Sequence, residues 1–342
     1  MPNSTIKQSN YNNPFQQQTD AFQTNMLPMG GTAEDVIRQV NQNAMRAMGV
    51  TVPGQPSANS QQQLQEIEQD LKPDESEVIL RRFQYYLNYF LQLKPDNFSI
   101  TKAVYLSEAP FYDNPPPFEV FENSIKQKAT IVKQMLAREG LSIKNNAALN
   151  YGIQKLFSQN NVYHDAKTNK DCTVEKISYD FNDFYGERDW TKMFVTKLLH
   201  TNSGQCHSLP LLYLCIAEQL HAKVYLSLAP NHSFIQYFDS KGIRRNFETT
   251  NGNLVSISWM MQSDAISAMA LKNRTYLDTL SQRQLFAQCL ADFQNSYIAK
   301  NWFDNFTNQL TQRILSIDST NINALMTNAN AALYQYRRLS DQ

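Results

Sequence analysis

The sequence predicts an α+β fold, with a central helix packed on a small antiparallel sheet, a helical leader before it and a C-terminal helical repeat behind it. Three observations carry this. The apolar segment "LPLLYLCIAEQL" (209–220) follows a Ser-Gly turn at helical spacing, three short runs rich in Val, Ile, Tyr and Phe come next, and dense helical patterns flank both. With 342 residues and 42% hydrophobic content, the chain can bury one large core or two modest ones.

Residues 1–73 stand apart. They are rich in Gln, Asn, Ser and Pro and hold too few large apolar side chains to offset the entropy of ordering, so this arm is expected to be largely disordered. One island, 33–48, carries Ile37, Val40, Ala44 and Met48 at helical spacing, with Thr32 and Asp35 placed as a capping pair. From residue 74 the texture changes. "ESEVILRRFQYYLNYFLQLK" predicts a helix buried on more than one side. Three consecutive prolines, 115–117, then force an extended connection. "FENSIKQKATIVKQMLAREG" predicts a second helix with Ile125, Ile131 and Met135 inward and Gly140 at its end, and "NNAALNYGIQKLFSQ" a third.

Between 161 and 184 the pattern loosens into turns and extended pieces. "RDWTKMFVTKLL" resumes helical spacing through Trp190, Phe194, Leu198 and Leu199 and runs into "HTNSGQ". After the central helix, "AKVYLSLAP", "HSFIQYFD" and "IRRNFETT" predict the strands of the sheet. The domain so assembled spans 74–280. Residues 281–342 predict three helices. Leu290 and Leu325, like Tyr297 and Ala332, lie 35 positions apart, near the roughly 34-residue period of tetratricopeptide repeats. These helices are the place for a protein partner.

Charge excludes one class of function. Lys plus Arg and Asp plus Glu both number 31, leaving no basic field for phosphate backbones and no nucleic-acid partner. No run approaches the roughly 18–20 apolar residues of a membrane span. The chain is expected in the cytoplasm if Met1 is the native start, and in the periplasm or outside the cell if a leader was removed. The four cysteines, Cys172, Cys206, Cys215 and Cys289, form no C-x-x-C pair and are expected as free thiols. His and carboxylate ligands lack the spacing of a metal hydrolase, so neither metal nor cofactor is called for.

Cys206 stands where loop gives way to helix. Pro210 is comfortable only in a first helical turn, so the helix starts close to the cysteine. A thiol there meets the positive end of the helix, and nearby N–H groups could hold a developing oxyanion. Of the five histidines, His207 adjoins Cys206 but points about 100° away along a helix. His232 opens a strand and is the expected base. The orienting acid is Glu248, which a hairpin at "DSKG" returns toward His232; Asp239, roughly 20 Å along the same strand, is too far. Asn202, Gln205 and His207 are candidates to line the cleft or donate to the oxyanion, and Trp190, Tyr185 and Phe184 to wall it. The plain alternatives stay open. Cys206 could be a small residue capping a core helix, His232 a core histidine, and Glu248 a hairpin acid paired with Arg244 or Arg245. Cys215, nine positions after Cys206, faces the opposite side and belongs to the core.

The series "SGQCHSLPLLYLCIAEQLHAKVYLSLAPNHSFIQY" with "NFETTNG" resembles the transglutaminase-like superfamily of papain-type fold. The likeness covers roughly 180–265, and its three elements fall in order with gaps of 26 and 16 residues. It implies Cys206 as nucleophile, His232 as base and Glu248 as orienter, the last a Glu where Asp is usual. "GQCHSLPLLYLCIAEQL" and "FETTNG" are also similar to a bacterial branch, the SirB1-like proteins, in which such a core precedes tetratricopeptide-like helices. The resemblance implies acyl transfer at amide bonds of a peptide or protein, with water or an amine as acceptor. Some members of that branch lack the cysteine, so the alternative is a catalytically inactive protein-interaction module.

Overall fold

Phe83 and Phe90 lie on one face of a helix, and both meet Phe293 from far along the chain, with ring centroids 5.2 and 6.2 Å apart. The computed structural model describes residues 74–340 except 166, 184, 185, 264, 265 and 273. The arm of residues 1–73 and its helix at 33–48 lie outside the described residues. Residues 79–340 belong to one compact unit.

The leader is helical. Helix α1 (Glu75–Phe90) is followed by α2 (Ile100–Glu108), α3 (Phe118–Arg138) and α4 (Asn146–Ser158). Gly140, with φ of 68°, supplies the left-handed turn after α3. Helix α2 falls where the sequence reading had no element. Its N-terminus is satisfied from a distance: Ser99 accepts from the backbone N–H of Lys102, and Glu218 accepts from the N–H groups of Ile100 and Thr101 at 2.7 and 2.8 Å. No local pattern announces a cap that arrives from a later helix.

A hairpin, β1 (Asn161–Asp165) with β2 (Lys170–Val174), comes next, and a two-residue strand β3 (Ser178–Tyr179) pairs in parallel with β4 (Ser203–Gly204). The helix expected through 190–199 is interrupted. A 3-10 turn covers Trp190–Met193, Phe194 is extended, and α5 runs Val195–Thr201. Glu108 explains the break, because its carboxylate accepts from the N–H groups of Val195 and Thr196 and from the Thr196 hydroxyl at 2.7–2.8 Å, fixing a helix start there.

Helix α6 (Ser208–Leu220) is the centre: every residue from Ser208 to Ala217 is buried. It packs against α2, α3, α4 and α5 and against two strands of the sheet β5 (Tyr225–Ala229), β6 (His232–Phe238), β7 (Arg244–Glu248) and β8 (Asn253–Val255). The sheet is antiparallel in sequence order, with Ile235 opposite both Leu226 and Phe247. Alternation gives it two buried faces. Leu226, Ile235 and Phe247 join the main core, while Ala229 and Phe234 pack with Met260, Ile266 and Leu277. The fold is therefore α+β, as expected, with one strand more than the sequence pattern announced.

Short helices α7 (Ile257–Ser263) and α8 (Ala268–Lys272) lead to α9 (Gln282–Asn301), α10 (Asn305–Ile317) and α11 (Ile322–Ser340). Helix α9 is buried on nearly all sides and shares one core with α6. The 35-residue equivalence does not extend to packing: Leu290 and Tyr297 are buried, whereas Leu325 and Ala332 are exposed, and α11 turns Ala324 and Ala331 inward instead. Among the described residues no helix is long and apolar enough to cross a membrane.

Gly252, at φ of 72°, follows β7, and a Cβ there would stand 2.6 Å from the Phe157 carbonyl oxygen. Gly252→Ala is expected to lower the unfolding free energy by about 3 kcal/mol, read from the urea midpoint. At Gly242, also left-handed but facing open space, alanine is expected to cost only about 1–2 kcal/mol.

Candidate active site

The chain enters the site through β4. A Cβ on Gly204 would stand 2.6 Å from the Ser208 hydroxyl and 3.1 Å from Leu198, so only glycine lets β4 pass this close to α5 and α6. Ser208 closes the turn: its hydroxyl accepts from the Gln205 N–H at 3.0 Å and donates to the Lys192 carbonyl at 3.2 Å. Cys206, half-buried, sits two residues ahead of α6. Among the described residues no acceptor faces its backbone N–H. The β5–β6 turn supplies the opposite wall. Asn231, in the left-handed region at φ of 52°, presents its carbonyl to the Cys206 Sγ at 3.7 Å, and the Ser233 hydroxyl donates to the Cys206 carbonyl at 2.8 Å.

This turn delivers His232. Its Nε2 meets the Glu248 Oε2 at 2.6 Å, and the Cys206 thiol is close enough to act on the ring. Burial opposes charge on the imidazole, but Cys206 and Glu248 beside it outweigh this and push the ring up to about 10. Glu248 is 1% exposed. Its second oxygen accepts from the N–H and hydroxyl of Thr250 at 2.9 and 2.8 Å, so the carboxylate cannot swing away. The arginine alternative fails: Arg245 pairs with Asp239 at 2.8 Å, and Arg244 faces Asp278 at 3.6 Å.

Cys206, His232 and Glu248, drawn from three separate segments, are thus brought together. Two of the three cleft candidates go elsewhere. The Asn202 amide donates to the Lys176 carbonyl at 2.9 Å, and Gln205 donates to the carbonyls of Asp180 and Asn182, so both pin the entry loop. Neither reaches the cleft. His207 does line it, with Nε2 3.5 Å from Asp292 Oδ2. Trp190 walls it too, and its buried Nε1 has no acceptor. Tyr185 and Phe184 lie outside the described residues. All four cysteines are free thiols, and burial pushes Cys215 and Cys289 well up. Among the described residues, no three His, Cys, Asp or Glu side chains are grouped to hold a metal ion.

Sequence reasoning missed Ser233 and Thr250, whose roles depend on which hydroxyls face the site, and Gln288 and Asp292, which reach it from α9. The resulting cavity, about 530 Å³, is walled by Cys206, His207 and His232 on one side and by α9 and α11 on the other. That volume is typical of a ligand site.

No family model and no curated protein matches the chain. Among solved structures it is similar to menin, in a crystal structure that reveals the binding site for Mixed Lineage Leukemia (MLL) protein, with a TM-score of 0.37 and 13% identity over 77% of this chain and 66% of that one.

An imidazole raised from an unfolded value near 6.5 to about 10 binds its proton more tightly in the folded state. Its contribution to stability is complete below about pH 6.5 and disappears as pH rises through about 10. Wild type is accordingly expected to exceed His232→Gln in melting temperature most at pH 6, with the gap closing toward pH 10.5; a gap that widens with pH contradicts the assignment.

Proposed function

We propose that the protein is a cysteine-dependent acyl-transfer enzyme acting on amide bonds, built on a transglutaminase-like core of papain type. The observation that carries this is the grouping of the Cys206 thiol with the His232 ring, which is bonded to the buried Glu248 carboxylate at 2.6 Å. An imidazole that keeps its proton to about pH 10 can hold it while sulfur attacks and surrender it to a departing amine.

In the proposed reaction Cys206 gives its thiol proton to His232, and its sulfur forms a bond to the substrate carbonyl carbon as the C=O π bond opens. Negative charge moves to oxygen, where the Cys206 N–H and the Trp190 Nε1, both without an acceptor among the described residues, are the available donors. His232 protonates the amine, the C–N bond breaks, and the acyl group remains on sulfur. Water then gives a proton to His232 and attacks the thioester. The C–S bond breaks, the product leaves as a carboxylic acid that ionises in water, and His232 returns its proton to sulfur. An amine in place of water would yield a new amide by the same steps. Glu248 holds the ring throughout and stabilises its charged form.

A second reading, a non-catalytic interaction module, draws on α11, where Leu325, Met326, Leu333 and Tyr336 are all exposed. Alkylation separates the two. Cys206 is expected to react with iodoacetamide at pH 7 faster than the similarly accessible Cys172. His232→Ala should slow Cys206 by about 100-fold, and Glu248→Gln by about tenfold. Equal rates at Cys206 and Cys172, unchanged by His232→Ala, would favour the module.

A further inference from the structure

The acyl-transfer chemistry leaves one wall of the cleft without a role. On α9, Gln288 and Asp292 lie one helical turn apart and both line the cavity that holds Cys206 and His232. The Asp292 side chain is 9% exposed. Its Oδ1 accepts from the Gln288 Nε2 at 2.9 Å. Its Oδ2 and the Gln288 Oε1 are buried with no hydrogen-bond donor. Two orphaned acceptors side by side are unusual, because a buried acceptor left without a donor keeps the whole cost of losing its water.

The other groups facing this wall do not supply the donors. His207 comes nearest, but 3.5 Å from Oδ2 is long for an N–H···O bond. Glu108 also lines the cavity, yet its oxygens are taken by the start of α5. Among the described residues, the cavity wall holds neither Lys nor Arg. Burial raises the Asp292 carboxyl, and the nearby His207 and Gln288 offset this in part. With His207 charged only when protonated, this carboxylate has no permanently charged counter-ion among the described residues.

We propose that Asp292 and Gln288 form a subsite for a cationic side chain, Lys or Arg, of the substrate residue adjoining the scissile bond. An ammonium carries three donors and a guanidinium five, enough to serve both empty acceptors at once. Position follows from His207, which is joined to the nucleophile and reaches Asp292. The subsite rests on the acyl-transfer reading for where that bond lies and adds to it the class of substrate.

The test uses the full chain carrying Cys206→Ser, so that a bound peptide persists, and fluorescein-labelled Ala-Ala-Xaa-Ala-Ala with Xaa as Lys, Arg, norleucine or Glu. Fluorescence anisotropy is expected to show Lys and Arg peptides binding at least about tenfold more tightly than norleucine, a difference of the size a charge-assisted hydrogen bond provides. Glu should bind weakest. In Asp292→Asn the Lys and Arg advantage should vanish while the norleucine peptide binds as before. Should that variant not fold, Gln288→Met and the four-peptide ranking in the parent chain bear the same test. A flat ranking, no binding of the Lys and Arg peptides up to millimolar concentration, or a preference that survives Asp292→Asn overturns the subsite. Iodoacetamide labelling of the chain with Cys206 intact is run alongside. A sluggish Cys206 beside an intact cation preference would sink acyl transfer and keep the subsite, whereas a fast Cys206 with a flat ranking would do the reverse.

Discussion

A helix without a solvent face sets the terms for everything around it. From Ser208 to Ala217 every side chain of α6 is buried, so helices and sheet must enclose it on all sides. Such a helix communicates with water only at its ends. Its C-terminal end is closed by His221 in the left-handed region. The N-terminal end, just after Cys206, opens on the cavity. The thiol's place is thus set by burial: the helix end that opens on the cavity is the one that Cys206 precedes.

The enclosing shell also solves its own end problems with acids from afar. Glu218, on α6, caps α2, and Glu108, the last residue of α2, caps α5. The two carboxylates tie the three helices in series. Because α5 leads directly through β4 into the Cys206 turn, the position of sulfur is linked through Glu108 to the leader helices, and through the Ser233 hydroxyl to the sheet.

Much of this was legible in the sequence where the signal is local. Pro210 and the Ser-Gly turn located the start of α6, and Gly140 located the end of α3. His232 and Glu248 could be chosen because a hairpin leaves few ways to bring an acid back to the start of a strand. Partners that cross the fold were not legible. Helix α2 depends on Glu218; Asn202 and Gln205 look like cleft residues until the 176–182 segment claims their amides. The 35-residue spacing paired positions along the chain, but α11 buries Ala324 and Ala331 rather than Leu325 and Ala332.

Helix α9 serves two masters. Phe286 and Phe293 lock it to Phe90, and Phe83 grips both Phe293 and Tyr297, while Gln288 and Asp292 on the same helix form the far wall of the cleft. The keel of the molecule and its ligand gauge are one rigid rod. A distortion that reseats those rings by a fraction of an ångström therefore re-spaces the cleft, and tolerance for change in this aromatic cluster is set by fit at the mouth as well as by melting temperature.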